Sequence, residues 1–156
     1  WIADGEKVWC EQSDGLKFIP DLSKSKSLQE MVLVTSKNHR NETLKKLIQK
    51  INFNEVVIMG SIGCKIASIV RGESDIYICL SLPGKSSPKD WDFAAPEAIL
   101  KAAGGAITNL DNEEITYGNA KFEQGGILVA SNNICNHKSI CAEIREIIMK
   151  YNLYPL

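Results

Sequence analysis

The sequence predicts an α/β domain of three layers, α/β/α, with a central mixed sheet of about five strands and helices on both faces. Two observations carry this. Short apolar runs alternate with segments whose apolar residues recur every three to four positions, the signatures of strand and helix in turn. The strand candidates are apolar along their whole length, as in a sheet covered on both faces. Spacing alone leaves an antiparallel member open.

Taken in order, "EKVW" at 6–9 closes a strand, and "SDGLKF" at 13–18 carries a turn signal. The polar, Ser/Lys-rich "PDLSKSKSLQE" at 20–30 reads as a surface connection. "MVLVTS" (31–36) is a buried strand. A helix over 40–51 then sets Leu44, Leu47, Ile48 and Ile51 on one face. On its other face Glu42 and Lys46 are spaced as an i,i+4 pair. "NEVVIMG" (54–60) is a strand, 62–71 a helix closed by Gly72, and "SDIYICLSL" (74–82) a strand. A helix over 92–103 follows, with Asp92 as its N-cap. Pro96 fits it only near the first turn, and Gly104–Gly105 end it. "AITNLDNEEITY" predicts a strand, a turn at "LDNE" and a second short strand. "GGILVAS" (125–131) is a strand, and 134–150 is a helix presenting Ile140, Cys141, Ile144, Ile147 and Ile148. No internal repeat appears.

The 156 residues suit one domain with a real core. Eighteen Lys+Arg against 19 Asp+Glu give no case for nucleic acid. No apolar run reaches the roughly 18 residues of a membrane span, and no signal peptide is visible. Cys10, Cys64, Cys79, Cys135 and Cys141 are an odd set without CxxC spacing. They read as reduced, mostly buried thiols of a cytosolic protein. His39 and His137 lack metal-ligand spacing. The chain starts with Trp1, which fits processing or a piece of something longer.

Three places carry possible chemistry, each beside a plainer reading. Asp92 is either a helix cap or a magnesium ligand, since hard cations take carboxylate oxygens. In "MGSIGCK", Gly60 and Ser61 turn a strand into a helix whose N-terminus offers N–H groups to an anion, with Lys65 one turn in. The plainer reading is a tight turn. In "TSKNHRNE", Ser36 and His39 sit at another strand-to-helix junction. They share an edge with Gly60–Ser61 if the strands are parallel, which is where open α/β sheets bind ligands. The plainer reading of His39 is a solvated loop side chain.

"WDFAAPEAILKAAGG" resembles the C-terminal signature of the lithium-sensitive, magnesium-dependent phosphatases related to inositol monophosphatase: W-D-x-A-A, a helix, then A-G-G. "GSIGCKIASIVRGESDIY" is similar to that family's G-S helix followed by G-x-A-D-x-Y, and "TYGNAKFEQGGILVASN" continues the match. "TSKNH" resembles the S-x-x-H segment of the 3′(2′),5′-bisphosphate nucleotidase branch. The resemblance spans roughly residues 30 to 150, the W-D block being its most specific part.

The resemblance implies magnesium-assisted hydrolysis of a small phosphate ester, inhibited by lithium, with Asp92 as a metal ligand. It implies that Ser36 and His39 contact the sugar or the non-reacting phosphate of adenosine 3′,5′-bisphosphate. Gly60, Ser61 and Lys65 would line the substrate pocket. The family's other metal ligands lie in a glutamate pair and a D-P-x-D-G-T block, neither of which occurs in these residues. "WIADGEKVWC" resembles the segment after that block. Residues 1–30 are therefore expected to connect from a missing N-terminal domain, and 31–156 to form a C-terminal α/β domain. The chain alone is expected to be inactive, and its parent a cytoplasmic enzyme of sulfur assimilation. Two alternatives stay open. The spacing from Gly60 to Lys65 is nearer the inositol or sugar monophosphatase pattern. A chain native as given would be a non-catalytic module. The sequence sets no oligomeric state.

Overall fold

A computed structural model describes residues 1–5, 7–11, 13–22, 25–37 and 40–155. The first elements are three short antiparallel strands, β1 (Ile2–Ala3), β2 (Val8–Glu11) and β3 (Lys17–Phe18), in that spatial order. Glu6, in the segment predicted to close a strand, lies outside the described residues. Strands this short do not stand alone. They lean on the rest of the chain through buried Val8 and through Trp1, whose ring meets Phe18 edge-on at 5.9 Å.

The 20–30 connection is more than a surface loop. It ends in a 3₁₀ turn, Leu28–Glu30, where the Ser27 N–H and hydroxyl both donate to Glu30 Oε2. That turn drives Leu28 into the core at 1% exposure.

The main sheet contains β4 (Val32–Ser36), β5 (Glu55–Met59), β6 (Ile76–Ser81), β7 (Ala106–Asn109) and β8 (Gly126–Ser131), in the order β5-β4-β6-β8-β7. β4 is parallel to both β5 and β6, while β8 runs antiparallel to β6 and β7. The expected mixed five-stranded sheet is therefore present. The helices are α1 (Glu42–Ile51), α2 (Ile62–Val70), α3 (Asp90–Ala102) and α4 (Ile134–Tyr151). α1 packs with α4 and α2 with α3, one pair on each face.

The strands feed both faces by period-2 alternation. Leu33, Ile76, Ile78, Leu80, Ile127 and Val129 meet Leu44, Leu47, Ile51, Ile140, Ile144 and Ile148 from α1 and α4. Val34, Tyr77, Cys79, Leu128 and Ala130 meet Ile66, Ile69, Val70, Phe93 and Leu100 from α2 and α3. Edge strand β5 departs from the expected burial on both faces, leaving Val56 and Ile58 exposed.

Several expectations need correction. α3 begins at Asp90, because Lys89 takes the N-cap position, so Asp92 is its third residue and not the cap. Glu42 pairs with Lys45 at 2.6 Å, not with Lys46. The second short strand after "LDNE" is only an isolated bridge, Thr108 to Glu114. There the Asn109 side chain captures the N–H groups of Asp111 and Glu113 and holds the chain as a turn. Of the cysteines only Cys79 and Cys141 are buried; Cys10 is half-buried, and Cys64 and Cys135 are exposed. Among the described residues no helix is long and apolar enough to cross a membrane.

Gly104 and Gly105 do different jobs. Gly104 turns the chain out of α3 at φ 91°. A Cβ on Gly105 would stand 2.6 Å from both Leu100 Cδ1 and the Ser131 carbonyl, so only glycine lets β7 start that close to α3 and β8.

Candidate active site

Because β4, β5 and β6 are parallel, their C-terminal ends share one edge of the sheet. The chain leaves β4 for α1 on one face and leaves β5 for α2 on the other. Neighbouring strands whose exits diverge open a crevice between their ends, the usual ligand position in such sheets.

Ser36, the last residue of β4, is in register with Met59, so Gly60 and Ser61 follow directly across the crevice. Gly60 has no close neighbours where a Cβ would stand, which leaves that lip open. The Ser61 hydroxyl is committed: it accepts the Cys64 N–H at 3.1 Å as the N-cap of α2. His39 lies outside the described residues.

Lys65 does not reach into solvent. It is 1% exposed, its Nζ donates to the Gly60 carbonyl at 2.5 Å, and it lies over the Tyr77 ring at 5.2 Å. Burial holds this ammonium below the usual lysine range. Among the described residues no carboxylate pairs with it.

Tyr77 is the hub that the sequence reading passed over. Its phenol is pushed far up, first by burial and then by Cys79. Burial likewise raises the Cys79 thiol. A signal for Tyr77 did exist. A tyrosine inside an aliphatic strand needs a partner for its hydroxyl once buried. Lys65, Tyr77 and Cys79 thus lie together on the α2–α3 face of the sheet, beneath the crevice.

Asp92 is half-buried on the first turn of α3. Its Oδ2 accepts the Lys89 N–H at 2.9 Å, and its Oδ1 has no partner among the described residues. Pro96 has no N–H to offer the Asp92 carbonyl four residues earlier. Oδ1 is open to an outside partner. Asp90, two residues away, is spent: Gly118 N–H donates to Oδ2 at 2.7 Å and Gln124 Nε2 to Oδ1 at 2.6 Å.

Among the described residues no group of three or more His, Cys, Asp or Glu side chains is placed to hold a metal ion. Magnesium is held by several oxygens in octahedral geometry. Asp92 supplies one carboxylate, so these residues do not hold the ion by themselves.

A second carboxylate, Asp75, works at the opposite end of the sheet. It accepts Lys26 Nζ at 2.7 Å, Val32 N–H at 2.8 Å and Asn132 Nδ2 at 2.8 Å, clamping the 25–27 loop to the starts of β4 and β6.

Known proteins resemble this chain in sequence and in fold. A 3′(2′),5′-bisphosphate nucleotidase 1 of Mus musculus is 31% identical over 104 residues, 65% of this chain and 32% of the relative. An inositol monophosphatase 3 of Xenopus laevis is 27% identical over 151 residues, 91% of this chain and 40% of the relative. Staphylococcal IMPase-II has the same fold in structures bound to inositol monophosphate and to 2′-AMP. The first matches with a TM-score of 0.65 at 18% identity, over 88% of this chain and 51% of that one. The second matches with a TM-score of 0.60 at 16% identity, over 88% of this chain and 52% of that one. This chain therefore spans between a third and a half of the length of the relatives it matches. The model of the inositol monophosphatase family matches residues 2–149, nearly the whole sequence, and the chain belongs to that family.

Proposed function

We propose that this chain is the C-terminal part of a magnesium-dependent phosphomonoesterase that converts adenosine 3′,5′-bisphosphate to AMP and phosphate. Residues 1–30 would lead from an N-terminal domain and 31–156 would form the C-terminal one. The observation that carries the reading is Asp92. It is a carboxylate on the first turn of α3 with an unclaimed side-chain oxygen, inside the motif that is most specific to the family. Magnesium, when bound, supplies charge to the phosphate and acidity to the attacking water. Asp92 gives that centre one oxygen, and further carboxylates complete it. Ser36 and His39 hold the sugar or the non-reacting phosphate. The Gly60–Ser61 turn offers N–H groups to an anion, and Lys65 adds positive charge from behind it. The products fit clearance of the nucleotide by-product of sulfur assimilation in the cytoplasm.

The nucleotide substrate is favoured by Ser36–x–x–His39 and by the similarity to the mouse nucleotidase. Inositol phosphate is the second reading, favoured by the Gly60-to-Lys65 spacing and by the longer match to the Xenopus relative.

Phosphate release from both substrates, with and without magnesium, tests the proposal on the full-length protein. Magnesium-dependent release from the bisphosphate, lost in Asp92→Asn, is expected. Preference for inositol phosphate would replace the first reading by the second. Activity indifferent to magnesium would end both.

A further inference from the structure

A cavity of about 530 Å³ opens behind the start of α3, between the loop after β6, the 119–126 segment and the C-terminal Tyr154. None of Ser36, Gly60, Ser61, Lys65 or Asp92 lines it. Its volume lies within the range of small-molecule sites.

The walls are fixed before any ligand arrives. Asn119 Oδ1 accepts the N–H groups of Lys121 at 3.1 Å and Glu123 at 3.0 Å, and its Nδ2 donates to the Glu123 carbonyl at 2.6 Å. Gln124 N–H donates to the Pro88 carbonyl at 2.8 Å, which ties this segment to the loop opposite. On the third side the Tyr154 hydroxyl donates to the Ser81 carbonyl at 2.9 Å.

The charge within is one-sided. Among the described residues Glu123 is the one acid on the lining, and Lys89 neutralises it at 2.8 Å. Lys85 and Lys121 come from two different loops, and neither forms an ion pair among the described residues. Leu82, Pro83 and Ala120 supply an apolar floor between them.

We propose that this cavity binds the phosphate group of a small molecule, with Lys85 and Lys121 as its cationic clamp. Ammonium groups carried on two loops that line one cavity match a dianionic phosphate as point charges. The apolar floor suits the body of an ester, so a phosphate monoester binds tighter there than free phosphate. The site is separate from the β4–β5 crevice and does not depend on the reaction proposed there.

The test is an NMR titration of the full-length protein, without magnesium, using inorganic phosphate and 5′-AMP as probes. The amide signals of Gly84, Ala120 and Gly125 report the cavity, and those of Gly60–Cys64 report the crevice. Saturating shifts at the cavity amides are expected with each probe. Lys85→Gln with Lys121→Gln should weaken them by about tenfold or more, as charge-assisted hydrogen bonds are lost. The double arginine variant keeps both charges and should stay within about threefold, which separates lost charge from lost folding. The crevice signals should respond as before in both variants. No saturation at the cavity amides below about 10 mM of either probe, or the same affinity in the glutamine variant, overturns the proposal.

Discussion

Lys65 and Tyr77 stack inside the domain, the ammonium 5.2 Å from the ring centroid, with the Gly60 carbonyl as its acceptor. Among the described residues no carboxylate stands beside this buried charge, and such a charge weakens the fold, so the contact is maintained at a cost. Lys65→Met keeps the length of the side chain and removes the charge. It is expected to leave stability unchanged or raise it by up to about 2 kcal/mol. Lys65→Ala should lower stability by about 2 kcal/mol or more through the space left behind. Urea denaturation of both variants checks the pair. A large loss in Lys65→Met would mean that the charge itself supports the fold.

Asp92→Asn separates chemistry from folding. The amide oxygen can still accept the Lys89 N–H, so stability should change by less than about 1 kcal/mol. Under the proposed function, turnover of the full-length protein should fall by about a hundredfold or more, because a charge offered to the metal is removed. Steady-state kinetics beside a thermal melt reads both. Equal losses in the two measurements would make Asp92 a helix residue and nothing more.

His137 sets an acid limit on stability. It is 1% exposed, with Ser131 Oγ 2.6 Å from Nδ1 and Thr108 Oγ1 2.8 Å from Nε2, and burial lowers its pKa to about 4 from 6.5. The unfolded chain therefore binds the proton first as pH falls. Stability contributed by the neutral ring is full above about pH 6.5 and drains away toward pH 4, by about 3 kcal/mol in all. Denaturation free energies between pH 4 and 7 should show this slope, and His137→Asn should flatten it. An imidazole that titrates near 6.5 in the folded protein, followed by NMR, would contradict the account.

Asp75→Ala should cost about 3–5 kcal/mol. The carboxylate is buried and takes hydrogen bonds from three separate segments, so its removal leaves Lys26, Val32 N–H and Asn132 without their acceptor. Equilibrium unfolding measures it. A loss under about 1 kcal/mol would mean that water replaces the carboxylate.

Gly105→Ala should destabilise by about 1–3 kcal/mol through overpacking. Leu100 can rotate away from a new Cβ, but the Ser131 carbonyl is held in β8 and cannot. Gly60→Ala, with open space at its Cβ position, is the neutral control by the same melt.

The alternation of apolar runs and helical faces was enough to read the layers. Residues such as Leu47 and Ile144 face the core because a period of 3.6 leaves them no other side. The W-D block was equally legible, since its aspartate, small residues and paired glycines are local. What local spacing does not set is which side chains stay available. Asp90 and Asp92 share one helical turn, yet Asp90 is consumed by Gly118 and Gln124, residues 28 and 34 positions away. Lys65 reads as a cation lining a pocket, yet its ammonium is buried over Tyr77, which β6 brings beneath it. The crevice exists only because α1 and α2 leave adjacent strands for opposite faces. The sequence by itself determined the layers, the strands of the main sheet and the four helices. The tertiary structure decided which charges are spent, buried or open, because burial and hydrogen bonding depend on segments that meet only after the sheet has formed.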